Sequence, residues 1–188
     1  APVATYALTA DHTSVNEGSA VVFTLVTTNV ANGTSLNYTL AGVSAYLKTK
    51  SAAVRTVLAD PPGSALYEYI RSGVPRVTGS GSITEGIGIG RVTANMQDAP
   101  VDAALHVTDD EAVHWVYRLL REEGLFVSST SGVNVAAAVR VARALGPGHV
   151  VVTVLCDSGA KYLSRLFNRD WLAQKGLLGA STAGAAVG

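Results

Sequence analysis

The chain has 188 residues, 48% hydrophobic and 15% charged, a composition typical of a folded protein with an apolar core. Its 14 basic residues balance its 14 acidic ones, so no broad positive field favours nucleic acid, and no apolar run reaches the about 20 residues of a membrane-crossing helix, so we expect neither partner. Cys156 is the only cysteine, which excludes an intrachain disulfide or a site of several thiolates.

Residues 1–41 indicate a short antiparallel β segment. Apolar and polar side chains alternate, which predicts strands over 5–9, 20–28 and 35–40. Asparagine and glycine at 16–18 and 32–33 tolerate the positive φ that turns require. Three strands cannot close a two-sheet sandwich, so something else must cover their apolar face.

Beyond Gly42 the pattern changes to charged helices alternating with apolar strands, which predicts an α/β fold. A capping box at residues 108–111 begins a helix that stops before Gly124 and whose inner face carries Val113, Val116, Tyr117 and Leu120. The remaining elements, in chain order, are a helix over 43–50, a strand over 55–60, a helix over 64–72 stopped by Gly73, a glycine-rich loop, a helix over 131–145, a strand over 150–155 and a helix over 162–175.

Two of these elements define the expected layers. The helix over 131–145 is predicted to face inward through Val135, Ala138, Val139 and Ala142. The continuous apolar run at 150–155 predicts a strand buried on both faces. We therefore expect a partial three-layer parallel sheet with helices on both faces over residues 42–178, after the β segment of residues 1–41. Residues 179–188, rich in alanine and glycine, are expected to be disordered.

Common enzyme motifs are missing from the sequence. There is no Gly-x-Ser-x-Gly elbow, no Walker A loop and no Gly-x-Gly-x-x-Gly fingerprint. The four histidines, His12, His106, His114 and His149, lack metal-ligand spacing with each other or with Cys156. We assign them no role and expect no metal.

Although common enzyme motifs are missing, five short sequence segments resemble those of a known family. They are Thr39-Leu40-Ala41-Gly42-Val43-Ser44, Leu58-Ala59-Asp60-Pro61-Pro62-Gly63-Ser64, Gly81-Ser82-Ile83-Thr84-Glu85-Gly86-Ile87-Gly88, Arg121-Glu122-Glu123-Gly124-Leu125 and Cys156-Asp157-Ser158-Gly159. In this order, over about residues 39–178, the chain resembles cysteine synthase, the fold-type II pyridoxal-phosphate enzyme that makes cysteine from O-acetylserine and sulfide. The resemblance implies a pyridoxal phosphate cofactor, a small amino-acid substrate and a cytoplasmic location for this part.

The same resemblance assigns cofactor-binding positions. Thr130 falls where the family has a hydroxyl that hydrogen-bonds the pyridine nitrogen, and a neutral partner suits β-elimination because it does not force protonation of the ring. Gly86 and Gly88 match a loop that passes close to cofactor and substrate, where a side chain would obstruct the approach. Cys156 and Asp157 match the strand end beside the ring, and Ser131 follows Thr130. Simpler roles stay open: helix capping by Thr130 and Ser131, a plain turn at the glycines, a buried thiol and a helix cap.

The first 41 residues lack the catalytic lysine and the phosphate-loop glycines that the resemblance implies. The family's early lysine, which holds the cofactor aldehyde as a Schiff base, has no counterpart there. The four lysines present, Lys48, Lys50, Lys161 and Lys175, match noncatalytic helices. Asn37 and Tyr38 stand where the family's phosphate loop has glycines, so their side chains would crowd the phosphate.

Residues 1–45 instead resemble part of a bacterial Ig-like or Calx-β-like repeat, chiefly through Ser14-Val15-Asn16-Glu17-Gly18 and the threonine-rich strand after it. We therefore predict a chimera that carries the C-terminal large-domain part of a cysteine synthase and is inactive alone. Its exposed sheet edge could recruit the β segment as a strand; otherwise the exposed apolar surface favours a homodimer or aggregation. Two alternatives stay open: an active enzyme completed by a second polypeptide that brings the lysine, and an extracellular Ig-like adhesion or binding fragment.

Overall fold

The computed structural model describes residues 5–10, 23–28 and 40–182, with side chains from residue 42 onward, and it divides into two compact units, Ala1–Tyr38 and Thr39–Gly188. In the first unit, β1 (Thr5–Ala10) pairs antiparallel with β2 (Phe23–Thr28), Thr5 lying opposite Thr28. These are the first two predicted strands, although residues 20–22 lie outside the described residues. The third predicted strand is wrong at Leu40, which begins a helix, and residues 35–39 are not described.

The second unit contains both strands and helices, as the pattern predicted, and it also has a short helix over 94–97 and a strand over 103–106 that the sequence analysis did not predict. Its elements are α1 (Leu40–Lys50), β3 (Val57–Asp60), α2 (Leu66–Ser72), α3 (Ala94–Gln97), β4 (Ala103–His106), α4 (Asp109–Glu123), α5 (Ser129–Leu145), a 3₁₀ turn (Gly159–Tyr162), α6 (Arg169–Gln174) and α7 (Leu178–Thr182). None of the helices in the described residues is long and apolar enough to cross a membrane.

A parallel pair of strands lies between two helical layers. β3 and β4 pair with Val57 opposite Ala103 and Asp60 opposite His106. Successive side chains of a strand point to opposite faces. Leu58 and Ala104 accordingly pack with α2 and α3 through Leu66 and Met96. Ala59 and Leu105 pack on the other face with residues of α4 and α5: Ala112, Val133, Ala136 and Ala137. The predicted α/β class with helices on both faces is confirmed.

The predicted capping box begins α4. The Thr108 N–H donates to the Glu111 carboxylate at 2.9 Å, and the Glu111 N–H donates to the Thr108 hydroxyl at 3.3 Å. Val113 and Val116 of this helix are fully buried, and Gly124 ends it at φ +69°. Such reciprocal bonds satisfy two otherwise unpaired N–H groups, which is why the sequence located this end well.

The inward face predicted for α5 is wrong. The buried residues are Ser129, Thr130, Ser131, Gly132, Val133, Ala136 and Ala137. Val135, Ala138 and Val139 are half-buried and Ala142 is exposed. Gly132 explains the difference, because its missing side chain lets the backbone of α4 approach closely at Ala112. The rotation of α5 is therefore set by its small residues and not by its valines.

The strand predicted over 150–155 is also wrong. These residues form no ladder with any described strand, and Val150, Val152 and Val154 are exposed. A continuous apolar run indicates burial between neighbouring strands and helical layers. The described residues supply no such neighbours, so the burial that the apolar pattern predicts is not found.

The C-terminal predictions need two corrections. The helix over 162–175 is interrupted, because the Asn168 side chain accepts the N–H groups of Asp170 at 2.9 Å and Trp171 at 3.1 Å and so begins α6 as a separate helix. The tail predicted as disordered from residue 179 is helical as far as Thr182, where the Arg121 guanidinium donates to the Ser181 carbonyl at 2.6 Å. Residues 183–188 lie outside the described residues.

Candidate functional site

Four of the predicted site residues meet at the beginning of α5. The Ser128 side chain accepts the Ser131 N–H at 3.4 Å, so Ser128 is the N-cap, and not Thr130 or Ser131 as the simpler alternative had it. The Ser131 hydroxyl accepts the Cys156 N–H at 2.9 Å, and the Ser128 N–H donates to the Asp157 carbonyl at 3.0 Å. The structure therefore holds Cys156 and Asp157 directly against the first turn of α5.

Thr130 joins this turn to the glycine loop. Its buried hydroxyl donates to the Glu85 carbonyl at 3.1 Å, directly before Gly86. The same loop is held from α4, where the Asp109 carboxylate accepts the Ile83 N–H at 3.0 Å and the hydroxyl of Ser82. Two helix starts thus fix the loop that the sequence analysis placed beside the cofactor.

The two predicted glycines have different surroundings. Both have left-handed backbones, with φ of +83° at Gly86 and +82° at Gly88, which side chains rarely adopt. A methyl group at Gly88 would lie 3.0 Å from the Pro61 ring, directly after β3. A methyl group at Gly86 would meet nothing within 4 Å. Open space therefore lies beside Gly86, which directly follows Glu85. Gly88, in contrast, packs against Pro61 at the end of β3.

Two ionisable groups beside Asp157, the Cys156 thiol and the Tyr162 hydroxyl, are protonated at physiological pH. Desolvation first and the Asp157 carboxylate second raise the pKa of the Cys156 thiol, while the Asn134 amide, 3.5 Å from Sγ, lowers it. Desolvation and the hydrogen bond to Asp157, 2.9 Å long, raise the pKa of Tyr162 to about 12. Cys156 is therefore a thiol and not a ready nucleophile, and because the residue is exposed, the alternative of a buried thiol is wrong.

Sequence reasoning missed the residues that reach this cluster from far along the chain. Tyr162 was expected to begin a helix, yet its hydroxyl holds Asp157. Arg165 pairs with Glu85, a residue 80 positions earlier. No local spacing signals such pairs, because tertiary packing alone brings them together.

A second polar region lies where β3 and β4 end. A cavity of about 280 Å³ is lined by Tyr67, Thr78, Gly79 and His106. Asp60, at the end of β3, accepts the Tyr67 N–H at 2.8 Å, and burial raises the pKa of this carboxyl. His106 Nε2 is buried without a partner among the described residues. Sequence analysis gave His106 no role, and spacing alone could not have connected it with Asp60.

None of the four lysines is held as a Schiff-base amine would need to be. Lys48 donates to the Asp102 carboxylate at 2.9 Å and to the Val54 carbonyl at 3.1 Å. Both acceptors precede the first residues of β3 and β4, at the other end of the strands from Asp60 and His106. Lys50 and Lys175 lie over the rings of Tyr46 and Trp171. Lys161 lies near the cluster, but its exposed ammonium group is 3.4 Å from the Asp157 carboxylate.

A pyridoxal phosphate bound as a Schiff base therefore does not fit the residues present. The Thr130 hydroxyl already donates to the Glu85 carbonyl, so it would have to release that bond before it could donate to a ring nitrogen beside Gly86. Covalent attachment needs an amine that can reach the cofactor aldehyde, whereas the amines of Lys48 and Lys161 lie in ion pairs with Asp102 and Asp157. Across the described residues, no three side chains of His, Cys, Asp or Glu come together as metal ligands.

The comparisons with known proteins agree with the resemblance to cysteine synthase. "Cysteine synthase 1" of Emericella nidulans is 49% identical over 143 residues, 74% of this chain and 39% of the relative. "Cysteine synthase 1" of Neurospora crassa is 51% identical over 146 residues, 76% of this chain and 39% of the relative. The crystal structure of an O-acetylserine dependent cystathionine beta-synthase from Helicobacter pylori superposes with a TM-score of 0.58 at 28% identity, covering 67% of this chain and 39% of that one.

The chain thus spans about 39% of the length of these relatives. A profile of the family described as "Pyridoxal-phosphate dependent enzyme" matches residues 20–157, which include part of the predicted β segment. The comparisons give no support to the resemblance between residues 1–45 and Ig-like repeats. Since the profile covers more than half of the sequence, the chain belongs to the family of pyridoxal-phosphate dependent enzymes, where the relatives it matches at 49–51% identity are cysteine synthases.

Proposed function

We propose that this chain is the large-domain part of a cysteine synthase and forms the wall of the cofactor pocket that faces the pyridine nitrogen. The family reaction is the pyridoxal-phosphate-dependent replacement of the acetoxy group of O-acetylserine by sulfide, which yields cysteine and releases acetate. The observation that carries the proposal is the Thr130–Glu85 hydrogen bond, which brings the start of α5 and the glycine loop together beside open space. Identity of 49% to a named cysteine synthase supports the choice of reaction.

The chain alone is proposed to be inactive, because each of its four lysines lies in an ion pair or over an aromatic ring. The test is to incubate the purified chain with pyridoxal phosphate, O-acetylserine and sulfide and to quantify cysteine by mass spectrometry. We expect no more cysteine than in a protein-free blank. Cysteine formation proportional to the concentration of this chain would contradict the proposal, and the Emericella nidulans enzyme serves as the positive control.

A second candidate is an active enzyme completed by another polypeptide that carries the lysine. The unpaired apolar residues 150–155 favour it, because they lie open directly before Cys156 and Asp157. The same assay, repeated with the N-terminal part of the Emericella nidulans cysteine synthase added, should then yield cysteine. The variant Thr130→Val should reduce that yield, since it lacks the hydroxyl proposed to face the ring. No yield from the mixture would refute completion and leave the first proposal standing.

We also propose, from the sequence, that the chain is a chimera, that it forms a homodimer and that it is cytoplasmic. A chimeric origin is tested by amplifying genomic DNA across the codons for residues 38–45, and an uninterrupted natural gene would contradict it. The homodimer is tested by light scattering of the purified chain. The cytoplasmic location is tested by fractionation of the source cells.

A further inference from the structure

A cavity at the carboxyl ends of β3 and β4 plays no part in the proposed function. It has a volume of about 280 Å³ and is lined by Tyr67, Thr78, Gly79 and His106. Thr130, which carries the proposed function, is not one of these residues. Ligands of open α/β sheets bind in the crevice outside the carboxyl ends of the strands, so this position favours a binding site. We call it the His106 cavity.

The wall formed by Thr78 and Gly79 is held in place by the turn that follows β3. The Thr78 carbonyl accepts the Gly63 N–H at 2.6 Å. Gly79 has a φ of +82°, and a methyl group there would lie 3.3 Å from Cβ of Pro62. Neither contact uses the Thr78 hydroxyl or the Gly79 N–H, and neither group donates to another residue in the described part of the chain. The wall therefore presents two available donors.

The other two lining residues supply aromatic rings and a third donor. The rings of Tyr67 and His106 meet edge to face, with their centroids 5.6 Å apart. The Tyr67 hydroxyl accepts the Arg71 guanidinium at 3.0 Å, which leaves its own hydrogen available. The same guanidinium lies 5.1 Å from the centre of the Tyr67 ring, and its exposed ion pair with Glu68 is 3.8 Å long, so Glu68 cancels little of the positive charge beside the cavity.

Two acceptors at the cavity are already in use. The Asp60 carboxylate is buried, does not line the cavity and accepts the Tyr67 N–H at 2.8 Å. The His106 carbonyl accepts the Arg140 guanidinium at 2.7 Å. His106 Nε2, in contrast, is buried without a partner among the described residues, which costs free energy in a folded protein. Unused donors beside aromatic rings suit a ligand that brings acceptors and an apolar body.

We propose that the His106 cavity binds a small aromatic carboxylate. Its two oxygens accept from the Thr78 hydroxyl, the Gly79 N–H and the Tyr67 hydroxyl, and its ring packs against the rings of Tyr67 and His106. Hydrogen bonds to an ionised carboxylate are stronger than those to a neutral acceptor, which favours a charged ligand at these donors. Acetate is too small to fill about 280 Å³, whereas a benzene ring adds contact with both aromatic side chains.

Titration of the full chain with benzoate tests the proposal, followed by NMR of the Gly79 amide and the His106 ring. We expect both signals to shift and to saturate, the amide proton downfield because it donates to a carboxylate. Benzyl alcohol keeps the ring without the charge, and acetate keeps the charge without the ring. Each of these two probes should bind at least about tenfold more weakly than benzoate.

Two variants test the donors. Thr78→Val and Tyr67→Phe each remove one hydroxyl with little change of shape, and each should weaken benzoate binding by about tenfold. Tyr69→Phe is the matched control on the same helix, because the Tyr69 hydroxyl donates to the Gln97 carbonyl at 2.8 Å and does not line the cavity. It should change the affinity by less than about twofold. Circular dichroism identifies any variant that fails to fold, and the other then carries the test.

Each contrary result removes a stated part of the proposal. The absence of a saturable shift of the Gly79 amide would overturn the site. Equal affinity for benzoate and benzyl alcohol would overturn the carboxylate, and equal affinity for benzoate and acetate would overturn the aromatic body. Unchanged binding in the folded donor variants would overturn the assigned contacts. None of these measurements involves cysteine formation, so the proposed function stands or fails separately.

Discussion

The contact between α4 and α5 depends on Gly132, so replacing this residue by alanine tests the packing that positions Thr130 and Ser131. The added methyl carbon would lie 2.3 Å from the Ala112 carbonyl oxygen and 2.8 Å from Val116 Cγ2. Ordinary carbon–oxygen contacts are about 3.3 Å or longer, so the helices must separate by about 1 Å. Overpacking against a rigid backbone costs about 3 kcal/mol, and the better helix propensity of alanine offsets about 1 kcal/mol of it.

The expected net loss in the free energy of unfolding is therefore about 2 kcal/mol, or a fall in Tm of roughly 4–8 °C for a chain of this size. Urea and thermal denaturation followed by circular dichroism would measure it. Gly179→Ala is the matched control, because Gly179 lies in α7 and an added methyl group there meets nothing within 4 Å. It should leave stability unchanged or raise it by up to about 1 kcal/mol. If Gly132→Ala stays within about 0.5 kcal/mol of the parent, the close approach of α4 and α5 is not as described.

Three further predictions concern Asp102, which directly precedes β4, and two residues at the start of α5 and beside it, Thr130 and Asp157. The Lys48 ammonium and the Thr56 N–H lower the pKa of Asp102 to about 2, so the stabilisation is present above pH 4 and is lost as the pH falls towards 2. After solvent screening we expect about 1 kcal/mol of acid-dependent loss by urea titration, which Asp102→Asn should not show; an identical pH profile would refute it. Thr130→Val removes the bond to the Glu85 carbonyl, so amides 82–86 should exchange faster than in the parent, while Thr130→Ser should match the parent; equal exchange in all three would count against the bond. Asp157→Asn removes one of the two causes that raise the pKa of Cys156, so thiol labelling at pH 8 should become faster, though burial remains the larger cause; a slower reaction would contradict this electrostatic assignment.

Local signals in the sequence were enough for the elements whose ends are made by neighbouring residues. The capping box of Thr108 and Glu111 and the left-handed Gly124 bound α4 within its own residues, and α2 ends at Gly73 with φ +74° in the same way. The alternation of apolar strands with helices predicted the α/β class, but it did not predict β4, because a run of four residues is too short to show a strand pattern.

The errors occurred where contacts with residues far along the chain determine which side chains are buried. The buried face of α5 depends on what Gly132 meets in α4, which periodicity within α5 does not contain. Residues 150–155 carry the pattern of a central strand, yet burial requires neighbours that the described residues lack. Asn168 could have been recognised as a helix cap, but the apolar pattern around it was continuous enough to hide the break. The site residues around Thr130 came from the resemblance, while Glu85, Arg165 and Tyr162 required the fold.

Borohydride trapping tests most directly whether this chain contributes a pocket wall without the reactive amine. The chain is mixed with pyridoxal phosphate, alone and with the N-terminal part of the Emericella nidulans cysteine synthase, then reduced and mapped by mass spectrometry. We predict a single modified lysine on the added fragment and only trace, scattered modification of Lys48, Lys50, Lys161 and Lys175. Stoichiometric modification of one of these four lysines in the chain alone would contradict the account.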